Sequence, residues 1–142
     1  MSEGRVLFLC TRNTARSQMA EAFLRHYAAD RYQPYSAGLL PDAINPYAWR
    51  VMEEIGIDLS GQYSKHVSEY MGRIHFGYCI IVCDIAEPRC PTTFPDVSQI
   101  LRWPVDDPVA FAGSEEDKLS KFREVRDQID HHIRAWLARQ DD

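Results

Sequence analysis

Residues 6–17 read Val6-Leu7-Phe8-Leu9-Cys10-Thr11-Arg12-Asn13-Thr14-Ala15-Arg16-Ser17. The first four are apolar throughout, the length and composition of a strand buried on both faces. Beyond Ser17, the run Gln18-Met19-Ala20-Glu21-Ala22-Phe23-Leu24 has the apolar spacing of an amphipathic helix. The segment is therefore strand, short loop, helix, with a thiol where the loop begins and a guanidinium where the helix begins. Loop amides that converge on a helix N-terminus form a concave anion site. The same positive field favours a thiolate over a thiol. A nucleophile, a planar bidentate donor and a cradle of N–H groups within the eight residues 10–17 predict chemistry on a tetrahedral oxyanion.

Outward from this segment, strand one covers Arg5–Leu9 and the first helix covers Ala15–Ala28, with Met19, Ala20, Phe23, Leu24 and Tyr27 on one face. Pro34–Ala37 is a second strand, ended by Gly38. Asn45-Pro46 supplies a cap and a first helical residue, Ala48, Val51, Met52 and Ile55 supply a stripe, and Gly56 closes that helix. A short helix is expected over Val67–Met71. Tyr78–Val82 is apolar enough for a central third strand. Asp84–Pro95 holds Pro88, Pro91 and Pro95 and reads as an ordered loop or one short helical turn. Ile100–Trp103 is a fourth, shorter strand, and Asp117–Ala138 is a long helix. Strands alternating with helices predict an α/β fold of three layers, a four-stranded parallel sheet with helices on both faces. No repeat, low-complexity tract or linker divides the chain, so residues 1–142 are expected to form one domain.

With 45% hydrophobic and 26% charged residues, the 142-residue chain can bury a core. Its net charge of −5 argues against nucleic acid as a partner, because phosphate-backbone binding needs a basic surface. A single arginine in a ring of amides can still hold a small anion. No basic start leads into a long apolar run and no stretch approaches membrane-spanning length, so a cytoplasmic protein with no membrane partner is expected. Nothing demands an oligomer, and a monomer is expected.

The four cysteines are Cys10, Cys79, Cys83 and Cys90. Two structural disulfides are one reading, disfavoured without a secretory signal in a chain large enough to fold unstapled. Zinc is another, disfavoured because Cys83 and Cys90 are too far apart for the short Cys-x₂₋₄-Cys hairpin and no His pair follows at finger spacing, so no metal site is expected. Cysteines near an anion loop point instead to catalysis or redox work. Ligands of parallel sheets bind beyond the carboxyl ends of the strands. Cys10, Cys83 and the run Asp106-Asp107-Pro108 each follow a strand and are expected to face one crevice.

Cys10 to Ser17 matches the Cys-x₅-Arg-Ser signature of the low-molecular-weight protein tyrosine phosphatase fold, and the chain most resembles its thioredoxin-coupled arsenate reductases. The resemblance extends through Ser17-Gln18-Met19-Ala20-Glu21, Tyr35-Ser36-Ala37-Gly38, Asn45-Pro46, Cys83…Cys90-Pro91, Asp106-Asp107-Pro108 and Phe122–Asp127. It implies arsenate as substrate, with phosphate and sulfate as analogues, held by Thr11, Arg12, Asn13, Thr14, Ala15 and Arg16. Cys10 would attack arsenic, Ser17 would hydrogen-bond the thiolate, and Asp107 would protonate the leaving oxygen. Cys83 would then attack Cys10 and Cys90 would attack Cys83, leaving a Cys83–Cys90 disulfide for thioredoxin to reduce. No cofactor is implied.

The ordinary readings stand beside these. Cys79, in mid-strand, is core, as are Trp49 and Trp136, while His131 and His132 are expected on the solvated side of the last helix. Arg12 stands where phosphatases of the resembled fold usually have glycine, and Ala15 where many relatives have a further cysteine. Some relatives hold potassium with residues matching Asn13, Glu21, Ser36 and an aspartate near position 65. Here that position is Lys65, whose ammonium could replace the ion. The rival function is hydrolysis of phosphomonoesters, which needs Cys10, Arg16 and Asp107 alone. Asp107-Pro108-Val109 lacks the aromatic residue that such phosphatases usually carry after the proline.

Overall fold

The computed structural model describes residues 4–140. Four parallel strands form one sheet: β1 (Arg5–Cys10), β2 (Gln33–Gly38), β3 (Phe76–Ile81) and β4 (Val97–Arg102), in the spatial order β2-β1-β3-β4. In register, Leu7 lies opposite Tyr35 on one side and Cys79 on the other, and Cys79 opposite Ile100. The central strands carry the continuous apolar runs, since both of their faces are covered. The edge position of β4 explains why it begins three residues earlier than the expected Ile100: Ser98, Gln99 and Ile100 are exposed, so no apolar run marks it.

Three helices flank the sheet: α1 (Arg16–Ala28), α2 (Pro46–Glu53) and α3 (Glu115–Gln140). Phe8 of β1 packs on Trp103 at 6.1 Å, and Trp103 on Trp136 of α3 at 6.5 Å, which fixes the face that α3 covers. On the alternate face Tyr35 meets Tyr70 edge-on at 5.3 Å and Phe76 at 5.2 Å. Tyr70 follows a single 3₁₀ turn, Val67–Glu69, shorter than the helix expected there. Edge-to-face aromatic pairs each add about 1 kcal/mol beyond area burial.

α2 is capped by Asn45, whose side chain accepts from Tyr47 N at 2.8 Å, with Pro46 in the first turn. It ends at Glu53, so Ile55 lies beyond the helix and is 42% exposed instead of completing the stripe. Tyr27 likewise leaves the buried face of α1: the residue is 40% exposed and its hydroxyl donates to Asp130 of α3 at 2.6 Å. α3 starts two residues before Asp117 because Ser114 and Asp117 cap it reciprocally. His132 is half-buried, stacked on Trp103 at 5.3 Å, and does not lie on a fully solvated side. Burial, then the neighbouring charges of His131 and Arg139, push its pKa below the ordinary value.

Candidate active site

Strand β1 delivers Cys10 as its last residue, opposite Gly38 of β2. The loop that follows packs so closely over Gly38 that a Cβ there would lie 2.8 Å from Asn13 N and Thr11 O. Only glycine permits that approach. Leu39 N and Leu40 N both donate to Thr11 O, at 2.8 and 2.9 Å, tying the loop to the segment after β2.

Asn13 turns the loop. Its φ is +58°, in the left-handed region that asparagine tolerates better than most residues, and its side chain is wholly buried. Its Oδ1 accepts from Lys65 N and Gln18 Nε2, both at 2.9 Å, while its Nδ2 donates to Ser17 Oγ at 2.7 Å. Ser17 Oγ lies 2.9 Å from Cys10 Sγ, and Asn13 N donates to the same sulfur at 3.3 Å. The cysteine, 2% exposed, is thus met by a backbone amide and a serine hydroxyl at the N-terminus of α1. Those are the donors that stabilise a thiolate.

Arg16 opens α1 and is 4% exposed. Its guanidinium donates to Glu87 through both ends, Nη1 to Oε2 at 2.7 Å and Nη2 to Oε1 at 2.9 Å. It also donates to Val105 O at 3.1 Å, and Asp107 Oδ2 lies 3.8 Å from Nη2. Burial opposes its charge, but the Glu87 hydrogen bonds and the charges of Cys10, Asp107 and Glu87 outweigh burial and hold the Arg16 pKa above the ordinary value. Asp107 follows β4 and caps a 3₁₀ turn, Oδ1 accepting from Val109 N at 3.0 Å. That bond leaves Oδ2 aimed at Arg16.

A cavity of about 300 Å³ lies over the loop. Cys10, Thr11, Arg12, Thr14, Ala15, Arg16 and Asp107 line it, with Leu40, Val109 and the run Glu87-Pro88-Arg89. Asn13 and Ser17 lie behind that wall, fully buried. Thr11 Oγ1 is buried with no hydrogen-bond partner among the described residues.

Cys83 and Cys90 are joined in a disulfide with a Cα–Cα distance of 5.9 Å, and Cys10 and Cys79 are free thiols. Cys83 lies two residues past β3, and β3 is hydrogen-bonded to β1 up to Val82 N donating to Leu9 O at 2.9 Å. The segment closed by the disulfide therefore forms one wall of the cavity that Cys10 lines. Burial pushes the Cys79 thiol up to about 12, consistent with a core residue.

Lys65 is 4% exposed. Its Nζ donates to Tyr63 O at 2.5 Å and lies 4.0 Å from Glu21 Oε1, which itself accepts from Ser36 Oγ at 2.5 Å. Burial lowers its pKa, with Glu21 acting in the opposite sense. The sequence reading did not find Glu87 or Gln18. Both are polar residues in ordinary surroundings, and only the fold brings the first against Arg16 and the second against Asn13.

The family model described as "Low molecular weight phosphotyrosine protein phosphatase" matches residues 5–141. The chain is 38% identical over 132 residues to the "Arsenate reductase" of Bacillus subtilis, covering 92% of this chain and 93% of that one. Among solved structures, "An arsenate reductase in the phosphate binding state" superposes with a TM-score of 0.78 at 30% identity, covering 95% and 97% of the two chains. The thioredoxin-dependent arsenate reductase of Corynebacterium glutamicum gives 0.67 at 28% identity, covering 96% of this chain and 61% of that one.

Proposed function

This chain belongs to the low-molecular-weight phosphotyrosine protein phosphatase family, and on that premise we propose that it reduces arsenate to arsenite through a relay of Cys10, Cys83 and Cys90. The observation that carries the reading is the Cys83–Cys90 disulfide, whose loop walls the cavity that Cys10 lines. A hydrolase has no use for a thiol pair there.

In the relay, arsenate occupies the cradle of loop amides, with Arg16 as its bidentate partner. The Cys10 thiolate displaces one oxygen from arsenic, and Asp107 protonates it through Oδ2 so that it leaves as water. The Cys83 thiolate then attacks Cys10 Sγ. The electron pair of the sulfur–arsenic bond passes to arsenic, which leaves as arsenite while a Cys10–Cys83 disulfide forms. Attack of Cys90 on Cys83 frees Cys10 as a thiolate and gives the Cys83–Cys90 disulfide. A dithiol protein such as thioredoxin supplies two electrons to reopen it. The chain has no helix among the described residues that is long and apolar enough to cross a membrane, and a relay recycled by thiols suits the reducing cytoplasm.

Lys65 belongs to the same reading. Its ammonium neighbours Glu21, beside Ser36, and its own amide holds Asn13. A built-in cation there makes the loop independent of added potassium.

The test is arsenate-dependent NADPH oxidation with thioredoxin and thioredoxin reductase, comparing the wild type with Cys90→Ser. Multiple turnovers in the wild type and a single turnover in the variant are expected. Hydrolysis of an aryl phosphate without arsenate-dependent oxidation would move the assignment to a phosphatase.

A further inference from the structure

The carboxylate on Arg16 comes from inside the seven-residue span of the disulfide. Glu87 holds its place through that loop: its N donates to Asp84 O at 2.9 Å, its O accepts from Cys90 N at 3.2 Å, and Asp84 N donates to its Oε2 at 2.9 Å. A carboxylate gripped at both oxygens by a guanidinium is the same kind of partner as two oxygens of a tetrahedral anion. Both ends of the Arg16 fork are engaged by Glu87, and the flank of the guanidinium faces Val105 O and Asp107. An arriving oxyanion would have to displace Glu87 and would meet its negative charge.

We propose that Glu87 is an internal anion that occupies the oxyanion-binding fork of Arg16 while the Cys83–Cys90 disulfide is closed, so that oxidation shuts the site and reduction opens it. The inference rests on the loop being an oxyanion site. Cys83 cannot attack Cys10 while it is bonded to Cys90, and reduction removes the covalent link that closes the loop presenting Glu87. The device also has a chemical purpose. In the disulfide state Cys10 is a free thiol, and an oxyanion captured then would meet a nucleophile with no second thiol to complete the two-electron step. Glu87 keeps the site filled until a dithiol has donated two electrons and two protons to Cys83 and Cys90 and left as its own disulfide.

Coupling between two binding events is reciprocal. If the closed disulfide weakens anion binding, a bound anion must favour the dithiol by the same factor. The probe is inorganic phosphate, titrated calorimetrically into the oxidised and reduced forms of the full chain, wild type and Glu87→Gln. Oxidised wild type is expected to bind at least tenfold more weakly than reduced wild type. Oxidised Glu87→Gln is expected to recover most of that loss. In a second measurement, the midpoint potential of the disulfide is read in a dithiothreitol redox buffer with and without saturating phosphate. Phosphate raises it by about 30 mV for each tenfold ratio of affinities in the wild type, and much less in Glu87→Gln. Equal phosphate affinity of the two oxidised proteins, or a wild-type potential indifferent to phosphate, overturns the proposal. Absence of phosphate binding in all four samples overturns the oxyanion reading itself, an outcome separable from the other two.

Discussion

Asn13 Nδ2 donates to Ser17 Oγ at 2.7 Å, and the direction of that bond is fixed by a backbone group elsewhere in the chain. Lys65 N can only donate, and it reaches the other end of the same amide at 2.9 Å, so that end is the oxygen. Gln18 Nε2 donates there as well. With one lone pair of Ser17 Oγ taken by Asn13, its own proton is free to point at Cys10 Sγ, 2.9 Å away. A thiolate at Cys10 therefore receives two donors, from Ser17 and from Asn13 N.

Ser17→Ala removes the hydroxyl donor and leaves Asn13 Nδ2 buried without an acceptor. Hydrogen bonds to charged groups are worth about 1.5–3 kcal/mol. Turnover of arsenate is expected to fall by about 10- to 100-fold, with little change in KM, measured in the coupled NADPH assay.

Asp107→Asn keeps the acceptor that caps Val109 N and removes the carboxyl group proposed to protonate the leaving oxygen. General acid catalysis contributes about 10²–10⁴-fold, so kcat should drop within that range. An unchanged kcat would show that another group protonates the leaving oxygen.

Gly38→Ala places a methyl 2.8 Å from two backbone atoms of the anion loop, which cannot yield as a side-chain tip would. Overpacking of this kind costs about 1–3 kcal/mol. Urea unfolding should report a loss of that size, and activity should fall further than stability explains, since the displaced atoms belong to Thr11, Arg12 and Asn13.

Lys65 puts an ammonium 4.0 Å from Glu21 Oε1, the internal cation of the proposed reading. The catalytic rate is expected to be flat in a potassium titration at constant ionic strength. Strong activation by potassium would count against an internal cation. Lys65→Asp leaves Glu21 with a second carboxylate and should make the rate rise with added potassium.

His132 is held neutral by burial against Trp103, so its folded pKa lies below the ordinary 6.5. The unfolded chain takes up a proton near that value before the folded one does. The contribution is thus complete above about pH 6.5 and is lost as pH falls through the lower, folded pKa. Wild-type stability from denaturant unfolding should decline on going from pH 7.5 to 5.5, and His132→Gln should decline less.

Much of this was legible in the sequence because local rules decide it. The apolar runs of β1 and β3 announce buried parallel strands, Asn45-Pro46 announces a helix start, and Cys10 through Ser17 announce the loop between β1 and α1. The boundaries that moved are those where the local signal is weak. β4 is an exposed edge with polar residues at its start, and Ile55 continues the spacing of α2 after the helix has already stopped. The start of α3 was readable: Ser114 and Asp117 stand three apart, as in a capping box. His132 looked solvated because its helix position was judged without the sheet, whose Trp103 covers it.

The sequence by itself offered a nucleophile and an oxyanion ligand in Cys10 and Arg16, and put Cys10, Cys83 and Asp107 after strands whose ends share a crevice; the acid role of Asp107 came only from the family resemblance. The first two follow from residue type, spacing and the handed rules of parallel sheets, all local or topological. The tertiary structure decided who pairs with whom. Glu87 lies 71 residues from Arg16, Lys65 lies 52 from Asn13, and Gly38 touches a loop 25 positions earlier. Such contacts depend on where a side chain stops in three dimensions to within an ångström. No periodicity or motif encodes that, because it is set by the packing of all the elements at once.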